Sequence, residues 1–135
     1  MKFLLDTVVL SELRKAQRNP GVEGWISRRR DAELFLSVLS LGEIERGIEL
    51  QRVKDPAFAD RLALWLNRLV AFYGERILPV TADIAVRWGR LSANLGNSGA
   101  DLLLAATALE HDLAIVSRNE RHFLPAGVRV ENPWT

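Results

Sequence analysis

Short apolar segments alternate along the chain with longer segments in which apolar residues recur every three or four positions. The short segments predict buried β-strands, because each is a continuous apolar run bounded by polar or chain-breaking residues. Runs that lack a polar residue at every second position are typical of parallel strands covered on both faces. The predicted strands are residues 2–6, 34–38, 77–80, 113–116 and 128–130.

The longer segments predict α-helices between these strands. The helices are expected at about 7–17, 22–27, 40–50, 55–69, 84–95 and 100–111. Ser40-Leu41-Gly42-Glu43 has the form of a capping box and is expected to open the third helix. Breaker residues at 18–21 are expected to close the first helical unit, and Pro79 predicts an edge position for the third strand. This alternation predicts an α/β fold, a three-layer α/β/α sandwich with a central parallel sheet.

Composition restricts the classes of protein that fit. The chain has 135 residues, 48% of them hydrophobic and 26% charged, as expected of a single globular domain spanning 1–135. It has no cysteine, which excludes disulfides and thiolate metal sites. The net charge of +1 gives no general attraction to nucleic acid, so such binding needs a local basic patch. No apolar run approaches the roughly 18–20 residues that span a bilayer, and the N-terminal residues lack the pattern of a signal peptide. We therefore expect a cytoplasmic protein with no membrane partner.

Polar residues lie where the predicted strands end. Asp6 ends the first strand, Glu43 lies one helical turn beyond the second, and Ser117 and Asn119 follow the fourth. Asp101 begins the helix before that fourth strand. Ligands of open parallel sheets bind outside the carboxyl ends of the strands, and right-handed crossovers could bring these side chains to one edge.

Three carboxylates at one edge would repel each other unless a cation or a raised pKa relieved the repulsion. Oxygen ligands suit Mg²⁺ or Mn²⁺, and such a site is the usual apparatus for activating water against a phosphoester. Arg118 and Arg121 flank Asn119 and could contact a phosphate backbone, which favours nucleic acid over a small phosphoester.

Each of these residues also has a structural explanation. Asp6 and Asp101 could cap helices or offset their dipoles, Glu43 could complete the capping box, and Asn119 could be a turn residue. The functional interpretation therefore depends on the coincidence of all four with strand ends.

Ordered segments of the chain resemble the PIN-domain ribonucleases, specifically the VapC-type toxins of bacterial toxin–antitoxin pairs, including the FitB-like branch. The resemblance covers essentially the whole chain. Its segments are "FLLDTVVLSEL", "LSVLSLGEIERGI", "RILPVTADIAVRWGRL", "DLLLAATALEHDLAIVSRNERHF" and "GVRVENPW".

The resemblance implies a Mg²⁺- or Mn²⁺-dependent endoribonuclease that cleaves phosphodiesters with metal-activated water. Asp6, Glu43 and Asp101 would be the acidic, metal-binding residues, with Asp6 and Asp101 the direct ligands, and Asn119 would support the site. Thr7 and Ser117 would orient carboxylates by hydrogen bonds. The implied partners are a cognate antitoxin, an RNA substrate, a second copy of the chain, and promoter DNA only through the antitoxin complex.

Two other functions remain open on the residues alone. A Mg²⁺-dependent phosphohydrolase acting on a small phosphoester commonly has a second Asp two residues after the first, where this chain has Val8. A nuclease-like binding module with a decayed site would fit His122, which stands where many members of the resembled family have Asp.

Overall fold

A computed structural model describes all residues from Met1 to Thr135. Five parallel strands form one sheet in the order β3-β2-β1-β4-β5. The strands are β1 (Phe3–Leu5), β2 (Leu34–Ser37), β3 (Ile77–Leu78), β4 (Ala114–Val116) and β5 (Val130–Glu131). The helices are α1 (Thr7–Arg14), α2 (Pro20–Ser27), α3 (Val38–Lys54), α4 (Pro56–Tyr73), α5 (Ala82–Leu95) and α6 (Ala100–Glu110).

The sheet separates two apolar cores. Phe3 and Leu5 of β1 belong to a core shared with α1 to α4, whereas Leu4 belongs to a core shared with α6. Trp88 of α5 packs against this second core. Since side chains alternate between the faces of a strand, a continuous apolar strand supplies both cores. The predicted α/β/α sandwich with a central parallel sheet is confirmed.

The start of α3 differs from the prediction. Ser37, the last residue of β2, caps the helix by accepting a hydrogen bond from the Leu39 N–H at 3.0 Å. Ser40 therefore lies inside the helix, where its hydroxyl is buried without a hydrogen-bond partner. The capping-box prediction is wrong because an earlier serine occupies the cap, and it no longer explains Glu43.

Other boundaries also shift, those of α2 and β5 among them. Helix α2 begins at Pro20, because Asn19 caps it and proline suits a first helical turn; residues 18–21 thus open this helix. Strand β5 begins at Val130, two residues later than predicted at Val128. Strand β3 lies at an edge of the sheet, as Pro79 predicted.

Helix α6 determines where Asp101 lies. The helix ends at Glu110, and the turn through Asp112, which has a φ of 55°, leads directly into the amino end of β4. Its first turn therefore lies at the opposite end of the strand, near the carboxyl edge of the sheet. None of the six α-helices has the length and the apolar composition that spanning a bilayer would require.

Candidate active site

Asp6 is a buried carboxylate at the carboxyl end of the central strand, and it is 6% exposed. Its Oδ1 accepts the Thr7 N–H at 2.8 Å and its Oδ2 accepts the Ser117 hydroxyl at 2.7 Å. Burial raises the pKa of Asp6 above its ordinary value, and the two hydrogen bonds oppose that rise. The carboxylates of Asp101 and Glu43 raise the pKa further, because their negative charges disfavour ionisation of Asp6.

Strand pairing brings Ser117 to Asp6. Leu5 of β1 pairs with Val116 of β4. The residues that follow the two strands, Asp6 and Ser117, therefore lie side by side. The Ser117 hydroxyl accepts the Asn119 N–H at 2.9 Å while donating its own proton to Asp6. The loop after β4 thereby fixes the orientation of the Asp6 carboxylate.

Thr7 connects the first acid to the second. Its side-chain hydroxyl donates to Glu43 Oε1 at 2.7 Å, across 36 residues of sequence. Glu43 itself is exposed on α3, and its Oε2 makes no hydrogen bond within the protein. Thr7 therefore orients an exposed carboxylate at the edge of the sheet where Asp6 is buried.

Asp101 lies in the first turn of α6 without capping it. The N-cap position is Gly99, which supplies no side chain, and Asp101 instead contacts His122. The distance between Asp101 Oδ2 and His122 Nδ1 is 2.7 Å. Helix capping, the alternative explanation for Asp101, is therefore excluded by its contacts, although a negative charge in the first turn still favours the helix dipole.

The side chains of the three acids do not converge on a common position. No three histidine, aspartate or glutamate side chains are arranged to hold one metal ion by themselves. Two of the acids nevertheless act on the third, since Asp101 and Glu43 both raise the pKa of Asp6. The arrangement is an acidic edge with room between the carboxylates.

Basic residues lie next to the acids, on the loop after β4. Arg121 and His122 line, together with Asp101, an open pocket of about 360 Å³. The Arg118 guanidinium lies 5.7 Å from the centre of the Trp134 ring, an arrangement typical of a cation–π contact. Asn119 lies on the same exposed loop, and its side chain makes no hydrogen bond within the protein.

A second cleft on the other side of Glu43 was not predicted. It is formed between α1, α3 and α4, and we call it the α1–α4 cleft. Its lining includes both acidic-site and apolar residues, among them Thr7, Arg14, Glu43, Phe58 and Trp65. Arg14 follows Thr7 by about two helical turns, so this spacing could have indicated that both side chains lie on the same face of α1. The contact of His122 with Asp101 had no local signal, because 21 residues separate them.

The chain belongs to the PIN-domain family. A family model described as PIN domain matches residues 3–127. The chain is 32% identical to VapC ribonuclease Y4jK of Sinorhizobium fredii, over 98% of this chain and 97% of that protein. It is 30% identical to toxin FitB of Neisseria gonorrhoeae, over 98% of both. The predicted relationship to VapC- and FitB-type toxins is confirmed.

Solved structures with a similar fold support this relationship. The crystal structure of FitAcB from Neisseria gonorrhoeae superposes with a TM-score of 0.80 at 29% identity, over 98% of both chains. A structure of FitAB bound to an IR36 DNA fragment gives a TM-score of 0.81 at 28% identity, over 98% of this chain and 96% of that one.

Proposed function

We propose that the protein is a divalent-metal-dependent endoribonuclease and the toxin of a toxin–antitoxin pair. One observation carries the proposal: a buried carboxylate, Asp6, shares an open edge with Asp101 and Glu43. Membership of the PIN-domain family, together with relatives named ribonuclease and toxin, gives this acidic edge its chemistry.

The donor set fits Mg²⁺ or Mn²⁺. All three acids offer carboxylate oxygens, and Asp101 Oδ1 and Glu43 Oε2 make no hydrogen bonds that would compete with an ion. Mg²⁺ usually binds through one or two carboxylates and keeps several waters, so it does not need a closed cluster of three. A cation beside Asp6 would also offset the burial and repulsion that raise its pKa. Asp6 and Asp101 are the proposed direct ligands, with Glu43 as the third acid.

The residues around this centre would position an RNA strand. A bound divalent cation would supply activation of water and neutralisation of phosphate charge. Thr7 and Ser117 keep Glu43 and Asp6 in fixed orientations, and Arg118 and Arg121 offer cations to neighbouring phosphates. In the proposed hydrolysis the water oxygen bonds to phosphorus, the bond to the 3′ oxygen breaks, and that oxygen takes a proton. The products are a 5′-phosphate and a 3′-hydroxyl.

We further propose an antitoxin as the physiological partner. The FitAcB and FitAB structures are both similar to this chain over almost its full length, and one of them contains DNA. The α1–α4 cleft combines apolar walls with the Glu43 carboxylate, which suits a segment of a partner protein that carries apolar residues and one basic side chain. Promoter DNA would be bound only by the complex, since the net charge of +1 gives the chain no general affinity for DNA.

A homodimer acting in the cytoplasm completes the proposal. Large apolar side chains remain exposed on the outer helices: Leu50, Val53, Leu64, Phe72 and Val86. Burial of such a surface in a second copy is a common reason for its exposure. Light scattering on the purified chain should give twice the monomer mass.

The nuclease activity is tested on purified protein with a pool of end-labelled RNA. We expect cleavage with Mg²⁺ or Mn²⁺, none with EDTA, and products that are degraded by a 5′-phosphate-dependent exonuclease. Asp101→Asn should abolish cleavage, whereas Asp112→Asn, which alters a carboxylate that is 98% exposed, should not. Full cleavage by Asp101→Asn, or cleavage in EDTA, would contradict the proposed site. Hydrolysis of p-nitrophenyl phosphate without RNA cleavage would favour a phosphohydrolase, and RNA binding without cleavage a binding module.

A further inference from the structure

His122 makes the shortest side-chain contact to Asp101, and nothing in the proposed cleavage yet uses it. Nδ1 of the ring lies 2.7 Å from Asp101 Oδ2, while the two side chains are 55% and 39% exposed. The main chain of His122 is held in place, because the residue ends a one-turn 3₁₀ helix in which its N–H donates to the Asn119 carbonyl at 3.1 Å. The next residue, Phe123, is 0% exposed in the second core.

The chemistry of the pair assigns the proton. An ionised carboxylate only accepts hydrogen bonds, so Nδ1 carries the hydrogen and donates it to Asp101 Oδ2. This bond occupies one carboxylate oxygen of Asp101 and leaves Oδ1 without a protein partner. The arrangement parallels Asp6, whose Oδ2 is oriented by the Ser117 hydroxyl.

We propose that His122 is a positioning residue for Asp101, whose Nδ1–H fixes the carboxylate so that the remaining oxygen is available to a divalent cation. The inference rests on the proposed metal-dependent function. Hydrogen bonds to ligating carboxylates orient them for the metal, and their loss commonly weakens metal affinity by about 10–100-fold. Asp101 needs such a partner more than Asp6 does, because it is half-exposed and supplies no helix cap that would fix its rotamer.

The simpler explanation is an ordinary surface pair, since exposed ion pairs contribute little and are often formed by chance. The two explanations differ in what they predict for metal binding. A surface pair can be removed with no effect on the ion, whereas a positioning residue cannot.

The test measures Mn²⁺ affinity of the full-length protein by calorimetry and by the electron paramagnetic resonance signal of free Mn²⁺. His122→Ala removes the donor, His122→Asn keeps an N–H close to the Nδ1 position, and His122→Gln moves the N–H to the Nε2 position. We expect about 10–100-fold weaker binding for His122→Ala and His122→Gln, and affinity within about threefold of the parent for His122→Asn. Circular dichroism checks the fold of each variant, and the exposure of the ring favours normal folding.

A second measurement needs no metal. Long-range ¹H–¹⁵N NMR spectra of the neutral ring should show the hydrogen on Nδ1 of His122, and a hydrogen on Nε2 alone would overturn the inference. Unchanged Mn²⁺ affinity in His122→Ala would also overturn it, as would equal losses in His122→Asn and His122→Ala, which would indicate a ring nitrogen acting directly as a ligand. If the parent failed to bind Mn²⁺, or Asp6→Asn bound it normally, the proposed metal site would fail and the inference with it.

Discussion

Replacing Asp6 with asparagine is expected to stabilise the metal-free protein at neutral pH. Burial and two neighbouring acids raise the pKa of Asp6 despite its two hydrogen bonds. Ionised Asp6 therefore favours the unfolded state. Asparagine is as good an N-cap as aspartate, and its amide can donate to the one lone pair of the Ser117 hydroxyl that the Asn119 N–H does not use. The substitution thus removes the charge without removing the cap of α1.

The magnitude follows from opposing contributions. Burying a carboxylate costs several kcal/mol, and each hydrogen bond to the charged group returns about 1.5–3 kcal/mol. Since the pKa is raised, the cost exceeds the return, and we expect Asp6→Asn to gain stability within the usual range of single substitutions, about 1–3 kcal/mol. For a chain of this size that gain corresponds to a rise in Tm of about 4–12 °C. Calorimetric or spectroscopic melting in EDTA at pH 7.5 measures it.

The stability gained by Asp6→Asn should depend on pH in a direction that the raised pKa of Asp6 determines. Because the folded-state pKa is raised, protonated Asp6 contributes stability that is fully present below the ordinary value of about 3.8 and is lost as the pH rises through the folded-state value. The advantage of Asp6→Asn should therefore shrink as the pH is lowered. Saturating Mg²⁺ should also shrink or reverse it, because the ion stabilises only the parent.

The matched control is Asp112→Asn, which makes the same chemical change at a carboxylate that is 98% exposed. It should change Tm by less than about 2 °C. An equal or lower Tm for Asp6→Asn than for the parent in EDTA at pH 7.5 would refute the reasoning that Asp6 is strained by its own charge.

Three further perturbations address the surroundings of the acids. Thr7→Val removes the hydroxyl that orients the α3 carboxylate; kcat/KM for RNA should fall about tenfold with Tm unchanged, and unaltered kinetics would exclude an orienting role. Ser117→Ala leaves a buried carboxylate oxygen of Asp6 without its donor and should lower the free energy of unfolding by about 1–3 kcal/mol, measured in urea at pH 7.5. A loss below about 0.5 kcal/mol, as for an ordinary surface substitution, would contradict this prediction. Arg118→Ala and Arg121→Ala should each reduce the salt slope of RNA binding by about 0.7, measured by fluorescence anisotropy without metal, and an unchanged slope would remove that arginine from the RNA path.

Local sequence was sufficient for the elements and for the candidate acids. Spacings of three and four residues located the six α-helices, and short continuous apolar runs located the five strands. It also placed Asp6 at the end of a strand that is 0–3% exposed. The start of α3 was predicted at Ser40, three residues after its true cap, because Ser37 ends β2 and caps the helix at once.

Contacts between distant segments could not be obtained in this way. Ser117 lies 111 residues from Asp6, and only the register of β4 against β1 brings them together. His122 reaches Asp101 because Phe123 anchors the loop after β4 in the second core. A sequence does not state strand order or register, since these depend on which apolar faces pack best.

The linear sequence was enough to predict an α/β protein with apolar strands, amphipathic helices and acids at the strand ends, because these features depend on residues that are neighbours along the chain. Folding alone buries Asp6 near two other carboxylates, joins Thr7 to Glu43 by a hydrogen bond, and brings His122 against Asp101. Burial and hydrogen-bond geometry are properties of packed surfaces, and the chain forms those surfaces only when strands from distant segments pair.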